Sequence, residues 1–317
     1  MTTAVAITLF NGEKFLYKQL ESIRLQTTPP DQVVLCDDGS IDDTITIVNE
    51  YIEQHKLQEK WTLVENDGNL GYARNFYKAI SLCNADLIFL ADQDDIWKDD
   101  KIEKMCCVMV EHPEVALLSC KFEIMDVNDK IMHGLLAPPH KETFALSRIT
   151  TTDLLRGFYW PGMLMCIRSS FFEQLLPHIG DLPIAHDRVL SHCAADKGLF
   201  YEYDYIGAYH RRHDNNTAEE EHRVSKLLNL QRKLHDVVVA EKMYQDMLNA
   251  GLPLGRESIE LIKLRLCLLQ KREEALKEKS IAKILKLYCK DDSGKMLRKV
   301  SLICDIWLIC FGHPKEK

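Results

Sequence analysis

Three aspartates, Asp92, Asp94 and Asp95, follow the apolar segment that ends at Ala91, with no basic residue until Lys98. Carboxylates crowded this way repel one another unless a cation offsets them. Hard divalent ions such as Mg2+ or Mn2+ take oxygen ligands, commonly one or two carboxylates plus substrate phosphates. The spacing suits an ion that bridges protein and diphosphate. The competing explanation is a solvated turn in which Asp caps the next helix. A second acidic pair, Asp37-Asp38, precedes Gly39-Ser40 after another apolar segment. Gly39 permits a tight turn, and carboxylates there can accept hydrogen bonds from a base N–H or ribose hydroxyls.

These groups need a frame that brings them together. Strand patterns at Val5–Leu9, Gln32–Cys36, Trp61–Glu65, Asp86–Ala91 and Val115–Lys121 alternate with helical patterns at Glu13–Gln26, Asp42–His55, Gly71–Cys83 and Lys98–Glu111. Repeated β-α units with near-continuous apolar strands predict a Rossmann-like, mostly parallel sheet flanked by helices. Ligands bind such sheets beyond the carboxyl ends of the strands, where both acidic groups fall. Residues 1–121 form the expected nucleotide-binding half. Residues 122–217 are less regular and are expected to extend the sheet and close the acceptor side. Residues 218–317 read as a C-terminal helical extension, broken at Gly251, Pro253 and Gly255.

Bulk properties narrow the function. The chain has 317 residues and a net charge of −8, which argues against bulk nucleic-acid binding. No run of 18 apolar residues occurs, and the N-terminus lacks a signal-peptide pattern. The eleven cysteines show no C-x2-C pair and read as buried free thiols of a reducing, cytoplasmic setting.

Four segments occur in order: Ala4–Gly12 (AVAITLFNG), Cys36–Thr44 (CDDGSIDDT), Asn69-Leu70-Gly71, and Ala91–Trp97 (ADQDDIW). His186-Asp187 and the stretch from Tyr209 to Asn216 continue the series. Together they resemble the inverting glycosyltransferases of family 2, with the GT-A fold. Asn69–Tyr77, the DQDDIW form and the His-Asp element resemble bacterial rhamnosyltransferases of cell-wall and O-antigen polysaccharides. An aromatic residue often follows the His-Asp pair in the family; Arg188 stands here.

The resemblance implies roles residue by residue. Thr8, Phe10 and Asn11 line the nucleoside pocket. Asp38 contacts a pyrimidine base, with Asp37 assisting. Arg74 approaches the donor nucleotide. Asp92 meets ribose or metal, Asp94 is the main ligand of Mg2+ or Mn2+, and His213 is a further metal or diphosphate contact. Asp187 is the general base. Residue chemistry alone leaves Asp187 open as a helix cap and His213 as an exposed loop histidine. Trp97 is expected to pack, and Trp160-Pro161-Gly162 to form either an acceptor wall or a turn.

The implied reaction moves a hexose, rhamnose from dTDP-rhamnose, onto a glycan or lipid-linked glycan acceptor. A UDP-sugar glucosyl- or galactosyltransferase is the alternative. A sugar nucleotidyltransferase would carry a Gly-rich basic loop near the first strand, which Phe10–Lys14 matches poorly. A non-catalytic nucleotide- or glycan-binding module would not need both the acidic cluster and Asp187. The C-terminal region reads either as a packed helical subdomain or as an element on the cytoplasmic membrane's inner face. Segment 271–299 carries ten Lys or Arg against five Asp or Glu, beside apolar Leu302–Phe311.

Overall fold

Strands β1 (Thr3–Leu9), β2 (Gln32–Asp37) and β4 (Leu87–Ala91) are buried almost throughout, as apolar strands covered on both faces should be. β1 pairs in parallel with both neighbours, and β3 (Trp61–Glu65) extends the sheet beyond β2. The register sets Leu9 level with Asp37, and Ile7 level with Ala91. Three segments therefore leave the sheet at one end: Phe10-Asn11, Asp38–Ser40 and Asp92–Asp95. This computed structural model describes the chain except residues 134–138, 180–181, 214–228, 290–295, 298 and 312–317.

Helices α1 (Leu16–Arg24), α2 (Thr44–Gln54) and α3 (Tyr72–Ser81) bury Leu16, Leu20 and Ile23, then Val48 and Ile52, then Ala73, Phe76, Tyr77 and Ile80. These are the three- and four-residue spacings of amphipathic helices. α4 (Lys101–Glu111) follows the acidic turn, after the two-residue strand β5 (Ile96–Trp97).

The less regular middle does extend the sheet. β6 (Leu117–Met125), β7 (Leu146–Arg148), β8 (Met165–Arg168) and β9 (Phe200–Arg211) complete nine strands among the described residues. The path runs β3-β2-β1-β4-β8-β6-β9-β5, with β7 on β9. Six strands point one way, while β5, β7 and β8 run against them. The β6–β9 pairing slips between Ser119 and Phe122, where three steps along β6 match six along β9. Helices α6 (Ser169–Ile179) and α7 (His186–Asp196) follow β8 and precede β9.

The sequence division at residue 217 is shifted in the structure. One compact unit holds Met1–Ile149 and Trp160–His213; the other holds Thr150–Tyr159 and everything from Asp214. The short helix α5 (Thr151–Leu155) belongs to the second unit, closed by a capping box between Thr150 and Asp153. Thr151 Oγ1 lies 3.2 Å from Ser258 Oγ. The other helices there are α8 (Leu230–Asn249), α9 (Arg256–Lys277), α10 (Ile281–Tyr288) and α11 (Lys299–Phe311). The expected break between the first two falls at Gly251–Gly255. Arg272 on α9 donates from Nε and Nη2 to the two oxygens of Asp305 on α11, each at 2.7 Å, and both residues are buried.

All eleven cysteines are free. Cys36, Cys120, Cys166 and Cys193 are buried, but Cys107, Cys289 and Cys310 are exposed, which corrects the expectation of uniformly buried thiols. No helix among the described residues is long and apolar enough to cross a membrane.

Removing one partner of a buried ion pair leaves an uncompensated charge, at a cost of about 3–5 kcal/mol. Asp305→Ala should therefore lower stability by that order in urea unfolding. The double change Arg272→Met with Asp305→Leu should recover most of the loss. Equal stability of Asp305→Ala and the unaltered chain would show that the pair does not hold the helices.

Candidate active site

The three aspartates after β4 have different surroundings. Asp95 is fully buried, and its Oδ1 accepts hydrogen bonds from His210 Nδ1 at 3.0 Å and the Arg211 N–H at 3.1 Å. Its Oδ2 is buried with no hydrogen-bond partner among the described residues. Asp94 Oδ2 accepts from His213 Nε2 at 2.6 Å. The Asp94 carbonyl accepts from Arg211 Nε at 2.8 Å. Burial, and then the charges of Asp95 and Asp94, push the Asp92 carboxyl well above the ordinary carboxylate range; Asp187 acts in the same direction. Burial also raises Asp95, against the hydrogen bond from His210. For His210, burial is outweighed by its bond to Asp95 and by the charges of Asp95, Asp94 and Asp92, so its pKa is raised.

Arg211 ties the acidic turn to the segment around Asp126 and Asp129, while His210 supplies the positive charge beside Asp95. Arg211 is fully buried, donates Nη1 to the Asp126 carbonyl at 3.2 Å and to the Asp129 carboxylate, and lies 4.7 Å from the Phe15 ring centre. Phe15 in turn packs 4.8 Å from the His213 ring. Phe15 stands at the entrance of α1, against Arg211 and His213. Lys101 is a second buried cation. It donates to the Met163 carbonyl at 2.7 Å and sits 3.7 Å from the Trp97 ring centre. Burial lowers its pKa from the ordinary 10.5 to about 8. Trp97 thus packs, as expected, while Trp160 donates to Glu202 Oε2 and packs against Phe200.

The second acidic turn is engaged within the protein. Asp37 Oδ2 accepts from the N–H groups of Gly39 and Ser40, each at 2.9 Å, an Asx-type turn. Asp38 Oδ1 accepts from Asn66 Nδ2 and the Leu70 N–H, and its Oδ2 from the Gly71 N–H. Gly71 has φ of +82°, a conformation in which an L side chain is strained. Buried Asn75 bonds Asn66 and the Cys36 carbonyl, and Lys78 donates to Asn66 Oδ1. Thr8 is half-buried at the end of β1, while Phe10, Asn11 and Arg74 are exposed. Both aspartates keep lone pairs for a ligand, since each carboxylate oxygen can accept more than one hydrogen bond.

Asp187 is buried in the first turn of α7, 4% exposed, and its charge reaches Asp92, Tyr72 and Tyr77. His186 stacks on Phe76 with ring centres 3.8 Å apart. A Cβ on Gly162 would fall 2.2 Å from His186 Nε2, so the Trp160-Pro161-Gly162 segment packs directly on that ring. Burial lowers the His186 pKa to about 4, leaving it neutral.

The structure thus brings Asp92, Asp94, Asp95, Asp187 and His213 into one electrostatic neighbourhood. Asp214, Asn215 and Asn216 lie outside the described residues. Sequence reading missed His210, Arg211, Lys101, Gln93, Asn66 and Asn75 as parts of the site. A His-Arg-Arg-His run marked the first two, and Gln93 and Asn75 fall within the DQDDIW and Asn69–Tyr77 segments, but nothing local marked Lys101 or Asn66. Open depressions of 440 Å3, beside Tyr17 and Trp97, and of 670 Å3, beside Glu13 and Glu50, include none of Asp92, Asp94, Asp95 and Asp187.

The donor set fits a hard divalent ion. Asp92 and Asp94 supply carboxylate oxygens whose crowding a cation relieves, Asp95 Oδ2 lacks a partner, and His213 stands beside Asp94. No three His, Cys, Asp or Glu side chains converge on one metal position among the described residues. A Mg2+ site of the usual kind needs only one or two protein carboxylates.

A mostly parallel α/β sheet with an acidic cluster at the carboxyl ends of its strands is the frame of a nucleotide-binding enzyme. Residues 4–173 match the family described as Glycosyl transferase family 2, and the chain belongs to it. An uncharacterized glycosyltransferase of Nostoc sp. is 24% identical over 221 residues, covering 68% of this chain and 66% of that protein. An Escherichia coli UDP-Gal:alpha-D-GlcNAc-diphosphoundecaprenol beta-1,3-galactosyltransferase is 31% identical over 124 residues, covering 39% of this chain and 44% of that enzyme. The matched stretches thus span under two thirds of these relatives. The GT-A fold is shared with Staphylococcus aureus TarS residues 1–349, solved with UDP-GlcNAc, at a TM-score of 0.64 and 14% identity, covering 98% and 90% of the two chains. A Pyrobaculum calidifontis mannosyltransferase solved with GDP-Man and Mn2+ gives 0.52 at 16% identity, covering 97% and 84%.

Lys101 yields a pH dependence. The folded chain releases its proton near pH 8, whereas the unfolded chain holds it to about 10.5. Between those values the unfolded state binds more protons, so stability rises with pH. Relative to Lys101→Met, the unaltered chain should gain stability from pH 8 to 10. A flat difference in chelator-treated urea titrations would show that Lys101 is not desolvated.

Proposed function

We propose that this chain transfers a hexosyl group from a nucleotide sugar to a hydroxyl of a growing bacterial surface glycan, with inversion. What supports the reading is that buried Asp187, in the first turn of α7, adds its charge to the field at Asp92, so a candidate base stands near a candidate metal or diphosphate residue. Asp187 orients the acceptor hydroxyl and takes its proton as the new glycosidic bond forms. Asp94 and Asp92, with His213, would hold Mg2+ or Mn2+, which when bound supplies positive charge for the leaving diphosphate. Thr8, Phe10, Asn11 and Asp38 would receive the nucleoside, with Asp37 shaping the turn and Arg74 approaching the phosphates.

Two donor classes are proposed. Resemblance of the DQDDIW and His-Asp segments to rhamnosyltransferases supports dTDP-rhamnose. The E. coli relative named for UDP-Gal supports a UDP-hexose. A thermal-shift panel of dTDP-, UDP- and GDP-sugars with and without Mn2+ separates them, because only a bound donor stabilises the fold. Asp94→Ala should abolish transfer with the fold retained. Asp187→Asn should lower kcat at least about a hundredfold with little change in donor affinity. Near-normal turnover in either variant would sink the assignment.

The second unit supports a lipid-linked acceptor held at a membrane surface. On α11, Val300, Ile303, Trp307 and Phe311 are exposed along one ridge, while Asp305 is buried on the other side. An apolar ridge beside a lysine-rich segment suits the interface of an anionic bilayer. Lys295 and Arg298, part of that segment, lie outside the described residues. The double change Ile303→Glu with Trp307→Glu should reduce co-sedimentation with vesicles containing anionic lipid, and unchanged binding would remove the membrane role.

A further inference from the structure

Gln93 stands between the two aspartates assigned to the ion, yet its side chain turns away from them. Oε1 accepts from the Phe10 N–H and Nε2 donates to the Phe10 carbonyl, both at 2.9 Å. The β1–β4 ladder ends with Ile7 opposite Ala91. The pairs after it would be Thr8 with Asp92 and Leu9 with Gln93, but β4 ends at Ala91. The primary amide sets an acceptor and a donor side by side, so it closes a two-bond ring on the Phe10 backbone beyond the last ladder pair. Among side chains only Asn and Gln offer both groups on one plane, and Asn is a methylene shorter.

Gly12 makes room for this arrangement. A Cβ there would fall 2.3 Å from Gln93 Oε1 and 2.6 Å from its Cδ. On its other side the same loop is tied to the second acidic turn. The Asn11 N–H donates to Ser40 Oγ, and Asn11 Oδ1 accepts from the Ile41 N–H, each at 2.9 Å. Phe10-Asn11 therefore links the turn that carries Asp38 to the turn that carries Asp92 and Asp94.

We infer that Gln93 is a positioning residue whose amide fixes the distance between the nucleoside-side loop, Thr8–Asn11, and the carboxylates that receive the ion and diphosphate. This rests on the transferase reading above. A nucleoside diphosphate has a set length, and a site that holds both ends at that length binds it without first ordering a loop. The clip acts before and during transfer alike, so it governs donor binding more than the chemical step.

The test compares the unaltered chain with Gln93→Met, which keeps the bulk but loses the amide, and with Gly12→Ala, which displaces the amide while leaving Gln93 in place. Hydrogen exchange at the Phe10 amide should accelerate in both. Binding of UDP and of dTDP with Mn2+, by calorimetry, should weaken about tenfold, the scale of two lost hydrogen bonds at a half-exposed site. Donor KM should rise in step, with kcat within about threefold and Tm nearly unchanged. Unchanged Phe10 exchange overturns the clip. Faster exchange with unchanged nucleotide affinity, or a fall in kcat that tracks a fall in Tm, overturns its positioning role. If the unaltered chain binds neither nucleotide, the transferase reading fails along with donor positioning, and the exchange comparison still decides whether the clip exists.

Discussion

Three carboxylates at the end of a buried strand repel one another in a medium that screens them poorly. Much of the first unit's architecture answers that repulsion. Arg211 is buried where its guanidinium reaches the Asp94 carbonyl and the Asp126–Asp129 turn, and its N–H reaches Asp95. His210 and His213 approach Asp95 and Asp94 from the same strand end. Lys101 adds a further buried cation behind Trp97. The cluster is held in place at the backbone by Arg211, at Asp95 by His210 and at Asp94 by His213, so that part of its charge is offset within the protein. Such partial neutralisation suits a site that takes a cation together with an anionic ligand.

The opposite side of the crevice is organised around neutral amides. Asp38 gathers Asn66, Leu70 and Gly71, and Asn75 fastens that group to the Cys36 carbonyl. The start of α3 is therefore fixed to the end of β2. Under the proposed reading, a base or ribose here would meet hydrogen-bonding groups already set in direction, whereas a phosphate beyond β4 would meet a field. The two halves differ as the two ends of a nucleotide differ.

Much of this was legible in the chain before its structure. Strands β1, β2 and β4 are buried on both faces, so their apolar runs are nearly unbroken and their ends stand out. Asp37-Asp38 and Asp92–Asp95 follow those ends directly. The groups that hold them are less visible because their partners are remote: Arg211 meets Asp94 and Asp126 across 117 and 85 positions. Lys101 looks like one charge on an amphipathic helix until its burial is seen. β5 has two residues and β7 has three, too few for a period to register. Thr150–Tyr159 gives no local sign that it belongs with helices a hundred residues later, because that grouping depends on contacts such as Thr151 with Ser258.

The slipped pairing of β6 with β9 has a consequence for how this sequence can vary. Side chains on a strand alternate between faces, so an odd offset exchanges the two faces relative to the neighbour. The stretch opposite Ser119–Phe122 adds three residues to β9, an odd number. That offset sets which of Tyr209 and His210 turns toward Asp95. Loss or gain of one residue within Tyr203–Gly207 would invert the parity and exchange them, whereas a change of two would preserve it. Length change in this part of the strand is thus constrained by evenness as well as by size, and descendants of this chain should carry the imprint as a phase rule on insertions far in sequence from the acidic turn.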